Sequence, residues 1–147
     1  MPVLNDDIVT ALRNWFLTCP QISQAGRLVG VDFLGPQIAD FAIFLQPSNI
    51  ATSTDILGNT YLSEIQEQSF SLSNTQPYGA EALQNLSNLG VLDAIVKWML
   101  EQNKAKQLPN LTGIISCLPT ATPILLMAEG DKGYYQIQGS MKYKRSE

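Results

Sequence analysis

Tyr134-Tyr135-Gln136-Ile137-Gln138-Gly139-Ser140-Met141-Lys142-Tyr143-Lys144 decides the fold class of this chain. Side chains on a strand point alternately to its two faces. Tyr135, Ile137, Met141 and Tyr143 therefore share one side, and Gln136, Gln138, Ser140, Lys142 and Lys144 share the other. One apolar and one polar face mark a strand of an antiparallel sheet with its core on one side. Gly130-Asp131-Lys132-Gly133 ahead of it reads as a turn. Before that turn, residues 113–118 and 124–129 read as two strands split by Pro119 and Pro123.

Further upstream, residues 80–104 read as a helix ended by Leu108-Pro109, with Leu83, Leu86, Leu89, Leu92, Ile95, Val96, Met99 and Leu100 as its apolar face. Gly90 inside it marks a kink or the close approach of another backbone. Residues 74–79 read as the turn that leads into this helix. Tyr61 to Ser73 reads as a long strand in which Phe70 and Leu72 alternate with Ser69, Ser71 and Ser73, with a bulge near Glu64. Residues 48–60 read as a loop without periodic pattern, and Phe41–Leu45 as a strand closed by Pro47. Val31-Asp32-Phe33-Leu34 reads as a short strand or a turn, after a loop over 21–30. The first element is a helix capped by Asn5 or Asp6, with Ile8, Leu12, Trp15 and Phe16 at helical spacing and Cys19-Pro20 as its stop. The order α-βββ-α-βββ predicts an α+β fold, an antiparallel sheet with two helices packed on one face, in a single domain over 1–147.

At 147 residues the chain is long enough to bury a core without staples. It has no histidine, which excludes Ser-His-Asp and Cys-His catalysis and His-rich zinc sites. Nine basic and thirteen acidic residues give a net charge of −4, so the whole-chain basic footprint of a nucleic-acid binder is missing. Charged residues are 15% of the chain, against about 25% in an average domain, and amides and hydroxyls take their place. Such a composition suggests large protein–protein contacts. The Met1–Asp7 segment lacks the pattern of a signal peptide and no apolar run is long enough for a membrane helix, which predicts a cytosolic chain with reduced thiols. The sequons at Asn85 and Asn110 are then fortuitous.

The residues offer no catalytic constellation. Cys19 and Cys117 lack an activating base and read as small buried apolar residues. Glu64 and Glu67 are oddly spaced on a strand, which sets them on opposite faces. Gly26, Gly30 and Gly35 meet no phosphate-loop spacing. Trp15 and Trp98 read as core. No metal, cofactor or catalytic residue is expected, and the expectation is that the protein is not an enzyme. Lys142, Lys144 and Arg145 form the one basic cluster, either a solvated strand end or a contact for an acidic partner or nearby DNA.

The order of features resembles the tail terminator (tail-to-head joining, tail completion or "minor capsid") proteins of tailed bacteriophages and phage-like particles of Gram-positive bacteria. It is carried by the N-terminal helix, Val31–Leu34, Phe41–Leu45 with Gln46-Pro47, Ser69–Leu72, Tyr78, Asn85–Asn88, Val96-Lys97-Trp98-Met99-Leu100-Glu101-Gln102, Leu108-Pro109, and the closing Tyr134–Gln138 and Met141–Tyr143, across about residues 5–145. The chain departs from the family's order at Asp55–Asn59, where the turn leads into Tyr61 less regularly. The resemblance implies a structural virion protein. It forms a ring, usually a hexamer, that caps the finished tail tube and offers a docking surface to the head connector. The implied partners are further copies of the chain, the tail tube protein, the head–tail connector protein and, in a contractile tail, the sheath protein, with no membrane and no sequence-specific nucleic acid. The implied location is the virion head–tail junction, after assembly in the host cytoplasm. Open strands are expected to extend sheets between subunits. The 48–60 loop and the closing strand's end supply the candidate interface residues Ser53, Thr54, Asp55, Leu57, Lys142, Lys144 and Arg145. The alternatives are another connector component, a stopper or adaptor, or a small ligand-binding domain or enzyme.

Overall fold

The computed structural model describes residues 5–23, 29–31, 41–48, 50–79 and 82–144. The expected strand Val31–Leu34 falls largely outside these residues, as does Arg145. The side chains of Asn5, Asp6 and Leu83 also lie outside what is described.

The chain is a mixed α+β fold, mostly strands, with a largely antiparallel main sheet. Its described elements run α1 (Asn5–Phe16), α2 (Pro20–Ser23), β1 (Val29–Val31), β2 (Phe41–Leu45), β3 (Thr52–Thr54), β4 (Thr60–Leu62), β5 (Ile65–Pro77), α3 (Ala82–Lys104), β6 (Ile114–Pro119), β7 (Ile124–Glu129) and β8 (Lys132–Lys144). This order differs from α-βββ-α-βββ in several places. Pro20–Ser23 is a helical turn and Val29–Val31 a strand, where a loop was expected. The 48–60 segment carries β3 and begins β4, which form a hairpin sheet of their own. The long strand is broken at Ser63-Glu64 and runs on to Pro77 rather than turning at Asn74.

Main-sheet order is β1-β2-β5-β8-β6, with β1 parallel to β2 and the other pairs antiparallel. β5 and β8 pair over all thirteen residues of each, from Ile65 opposite Lys144 to Pro77 opposite Lys132. β6 and β7 are collinear. β6 pairs with the C-terminal half of β8 and β7 with its N-terminal half, so together they form one edge interrupted between Pro119 and Pro123. Proline cannot donate to a ladder, which suits it to an edge.

The core lies on one face. Ile43, Leu72 and Ile137 sit side by side in register, and Phe70 and Met141 flank them. Phe16 of α1 meets Phe70 at 5.9 Å between ring centroids, and Asn88 of α3 donates to the Tyr135 hydroxyl at 3.2 Å. Both long helices therefore bear on the same sheet face. Trp15 and Trp98 meet between the helices with centroids 4.7 Å apart and planes tilted by 44°, and both are buried. The expected faces of β8 are found: Tyr135, Ile137 and Met141 are buried and Tyr143 is partly buried. The apolar stripe of α3 is narrower than expected, because Leu92, Ile95 and Met99 are buried whereas Leu86 and Leu100 are exposed. The serines of β5 are not a wet face either. Ser71 and Ser73 are buried, and Gln46 reaches over to donate to the Ser71 hydroxyl at 3.1 Å.

Polar clips hold the helices to the sheet and α1 to the turn after α3. Arg13 Nε donates to the Val29 carbonyl at 2.8 Å, and Trp15 Nε1 to the Gln107 carbonyl at 2.9 Å. Asn103 donates to the Met99 and Cys117 carbonyls and accepts from the Cys117 amide at 2.9 Å, tying the end of α3 to β6. A helix ends when its last carbonyls find other donors. Here the Gln107 amide bonds the Gln102 carbonyl and the Lys106 amide the Asn103 carbonyl, with Lys106 left-handed at φ 63°. This hydrogen-bonded turn, ahead of Leu108-Pro109, stops α3.

Gly90 lies inside an uninterrupted α3 and marks no close approach of another backbone, since a Cβ there would meet nothing within 4 Å. Gly90→Ala should therefore raise stability by about 1 kcal/mol through lost unfolded-state freedom. A urea melt would show it as a higher midpoint at constant slope.

Candidate interaction surfaces

The candidate residues Ser53, Thr54, Asp55 and Leu57 all fall on the β3–β4 hairpin. Its turn is built by Asp55. One Asp55 carboxylate oxygen accepts from the amides of Leu57 and Asn59, both at 2.9 Å. Asp55 N–H donates to the Asn59 carbonyl at 3.0 Å, and Gly58 N–H donates to the Asp55 carbonyl at 3.1 Å. Gly58 takes φ 88°, a conformation open to glycine at no steric cost. This closed turn holds Ile56 fully exposed and Leu57 at 82% exposure, two large apolar side chains at the tip. Ser53 faces inward on the hairpin and bonds Ser63 at 2.7 Å, whereas Thr54 is exposed. At the hairpin's base, Gln66 donates to the Ala51 and Ser63 carbonyls at 2.9 and 2.8 Å.

The hydrogen bond from the Asn59 backbone leads the causes that hold the Asp55 carboxyl below its ordinary range. A carboxylate depressed in the folded state contributes order above its unfolded pKa and loses it as pH falls through the folded value. The turn should therefore loosen only in acid, below the usual carboxylate range, while the core stays intact. Amide exchange at Leu57 and Asn59 should accelerate there, and Asp55→Ala should show that fast exchange at neutral pH.

The basic residues lie at the same end of the sheet. Lys144 approaches Glu64 at 3.8 Å, beside the hairpin's base, with both side chains largely exposed. Such a pair contributes about 0–1 kcal/mol. Lys142 is exposed on the sheet face away from the helices and stands opposite Glu67 in register. Two acidic neighbours thus offset the basic cluster.

A second surface escaped the sequence reading. Every residue of β7, Ile124-Leu125-Leu126-Met127-Ala128-Glu129, is exposed. The run sits on the outer edge of the sheet, with Ile115 and Leu118 of β6 exposed along the same edge. Extra residues bulge out at Ile115 and at Leu126. Bulges and prolines spoil an edge as a template for another strand. This edge therefore presents side chains more than a regular backbone ladder.

An open groove of about 550 Å³ lies beside Trp15 and Trp98, with Asn14, Gln102, Gln107 and Pro109 among its walls. None of its lining residues ionises, and the indole N–H of Trp15 is already bonded to Gln107. Burial pushes both thiols up, Cys117 strongly and Cys19 less, so neither offers a thiolate at neutral pH. Among the described residues no group of three or more acidic or cysteine side chains converges as a metal site, and no helix is long and apolar enough to cross a membrane. No protein-family model and no curated protein matches this chain.

Proposed function

We propose that this protein is a structural component of a phage or phage-like virion that closes the finished tail tube as a ring, most simply a hexamer, and joins it to the head connector. The observation that supports this reading is the pair of apolar projections on one small chain, the Ile56-Leu57 hairpin tip and the Ile124–Met127 edge. A terminator must meet its own neighbours, the tube and the connector at once, and it needs contact surfaces more than reacting groups. Its partners are other copies of itself, the tail tube protein, the head–tail connector protein and, in a contractile tail, the sheath protein.

The test is removal of Ser53–Gly58. No side chain between Ile50 and Ile65 belongs to the core, so the shortened chain should keep the parent's circular dichroism and urea midpoint. Tails lacking heads should accumulate in its place. Normal infectious particles from the shortened chain, or electron microscopy placing the protein away from the tail–head junction, would defeat the proposal.

A further inference from the structure

The hairpin tip and the β7 edge lie at opposite ends of the β5–β8 ladder. The hairpin leads into Ile65, opposite Lys144, whereas β7 pairs with Lys132–Gln136 at the far end. The Ile124–Met127 run pairs with Tyr134–Gln136, eight to ten residues from Lys144, which at about 3.3 Å each sets it about 26–33 Å along the sheet from the hairpin's base. One chain therefore cannot cover its own edge with its own tip. Monomers rarely leave large apolar patches wet, and such patches mark contact sites.

We infer that the Ile56-Leu57 tip of one copy docks on the Ile124–Met127 edge of a second copy, head to tail. This deepens the ring reading and rests on it for closure, since a repeated heterologous contact must either close or run on as a filament. Three features select that occupant. First, an edge-to-edge pair would leave the tip wet, and a tip-to-tip pair would leave the edge wet; only the head-to-tail contact buries both. Second, the exposed residues of the two patches together present roughly 750 Å², the scale of a weak contact that needs high concentration or repetition around a ring to populate. Third, the tip brings no unsatisfied charge to the edge, because the one carboxylate in its turn, Asp55, is engaged by the Leu57 and Asn59 amides. The bulge at Leu126 turns an extra apolar side chain outward at the centre of the receiving edge, so the contact is made by side chains.

Sedimentation velocity of the full chain, from about 10 µM to about 1 mM, tests this contact. The parent protein should associate with rising concentration. Leu57→Asp and Leu126→Asp should each remain monomeric across that range. Their equimolar mixture should form a dimer and nothing larger, because one variant retains a working edge and the other a working tip. Met127→Lys replaces Leu126→Asp if the latter fails to fold by circular dichroism. A parent chain that stays monomeric at about 1 mM, a single variant that associates like the parent, or a mixture that stays monomeric overturns the contact. If the parent associates and both variants do too, this contact is wrong and the ring reading stands. If the mixture dimerises while microscopy of particles places the protein away from the tail–head junction, the contact stands and the ring reading falls.

Discussion

Ile137→Ala should lower the stability of this protein by about 2–5 kcal/mol. Ile137 is completely buried in the central strand, in register with Leu72 and beneath both long helices. Truncation removes apolar burial and leaves a cavity in a close-packed interior, at a residue that pairs with Leu72 of β5 on one side and faces the break between β6 and β7 on the other. Total stability of a domain this size is about 5–15 kcal/mol, so the loss would show as a large fall in the urea midpoint at unchanged slope. Lys142→Glu is the companion measurement on the opposite face. Exposed changes usually stay within about 0.5 kcal/mol. Here the new carboxylate would face Glu67 across the ladder, and like charges directly opposite raise the cost to about 1 kcal/mol at most. If Lys142→Glu unfolded the chain and Ile137→Ala did not, the assignment of faces on β8 would be inverted.

Gly113→Ala should be damaging for a different reason, at about 3 kcal/mol or more. Gly113 adopts φ 82°, and a Cβ built there would stand 2.2 Å from the carbonyl oxygen of Lys144. The Gly113 carbonyl also accepts the Lys144 amide at 2.8 Å. Both the added methyl and the atom it strikes are fixed to backbone, so no rotamer change relieves the clash. The start of β6 must then part from the end of β8. Hydrogen exchange should accelerate at Lys144 and through the 114–117 segment, and the thermal midpoint should fall. A Gly113→Ala protein with the parent's melting curve would refute this account of the junction.

The elements that pack against the core were legible in the sequence, because burial writes a period. The alternation of Tyr135, Ile137, Met141 and Tyr143 gave β8 its faces, and the helical spacing of Ile8, Leu12, Trp15 and Phe16 gave α1 its own. Elements held by hydrogen bonds left less of a trace, although Tyr61-Leu62 does fall within the expected long strand. Thr52–Thr54 and Thr60–Leu62 have no apolar alternation, and the hairpin exists because Asp55 organises its turn. β5 runs through Asn74 and Gln76, which face the helices and bond each other, so polar residues that read as a turn are interior. The richness in amides has in part an internal use as well, since Asn88 and Asn103 fasten α3 to the strands.

Of the interface candidates, the hairpin residues do share one projection, but its most exposed side chain, Ile56, is not among them. Ile124–Met127 was read as a strand and not as a contact site. A continuous apolar run is the pattern of a strand covered on both faces, while the prolines at 119 and 123 signal an edge. Those two signals conflict, and in this structure the prolines decide: the run lies on the sheet's edge with every residue exposed.

The position of β8 has a bearing on biosynthesis. It pairs with β5, β6 and β7, yet it is translated after all three. Until its residues emerge, β5 has no partner on that side, and β6 and β7 have nothing to bond. At about 5–20 residues per second, the ribosome takes several seconds to travel from Pro77 to Lys144. Throughout that interval a thirteen-residue strand edge stands open on the nascent chain. On a polysome making many copies, the neighbouring chain's finished β8 is an equally good partner for it. Exchange of that strand between adjacent nascent chains is the characteristic error this topology invites, and it should grow with the density of ribosomes on the message.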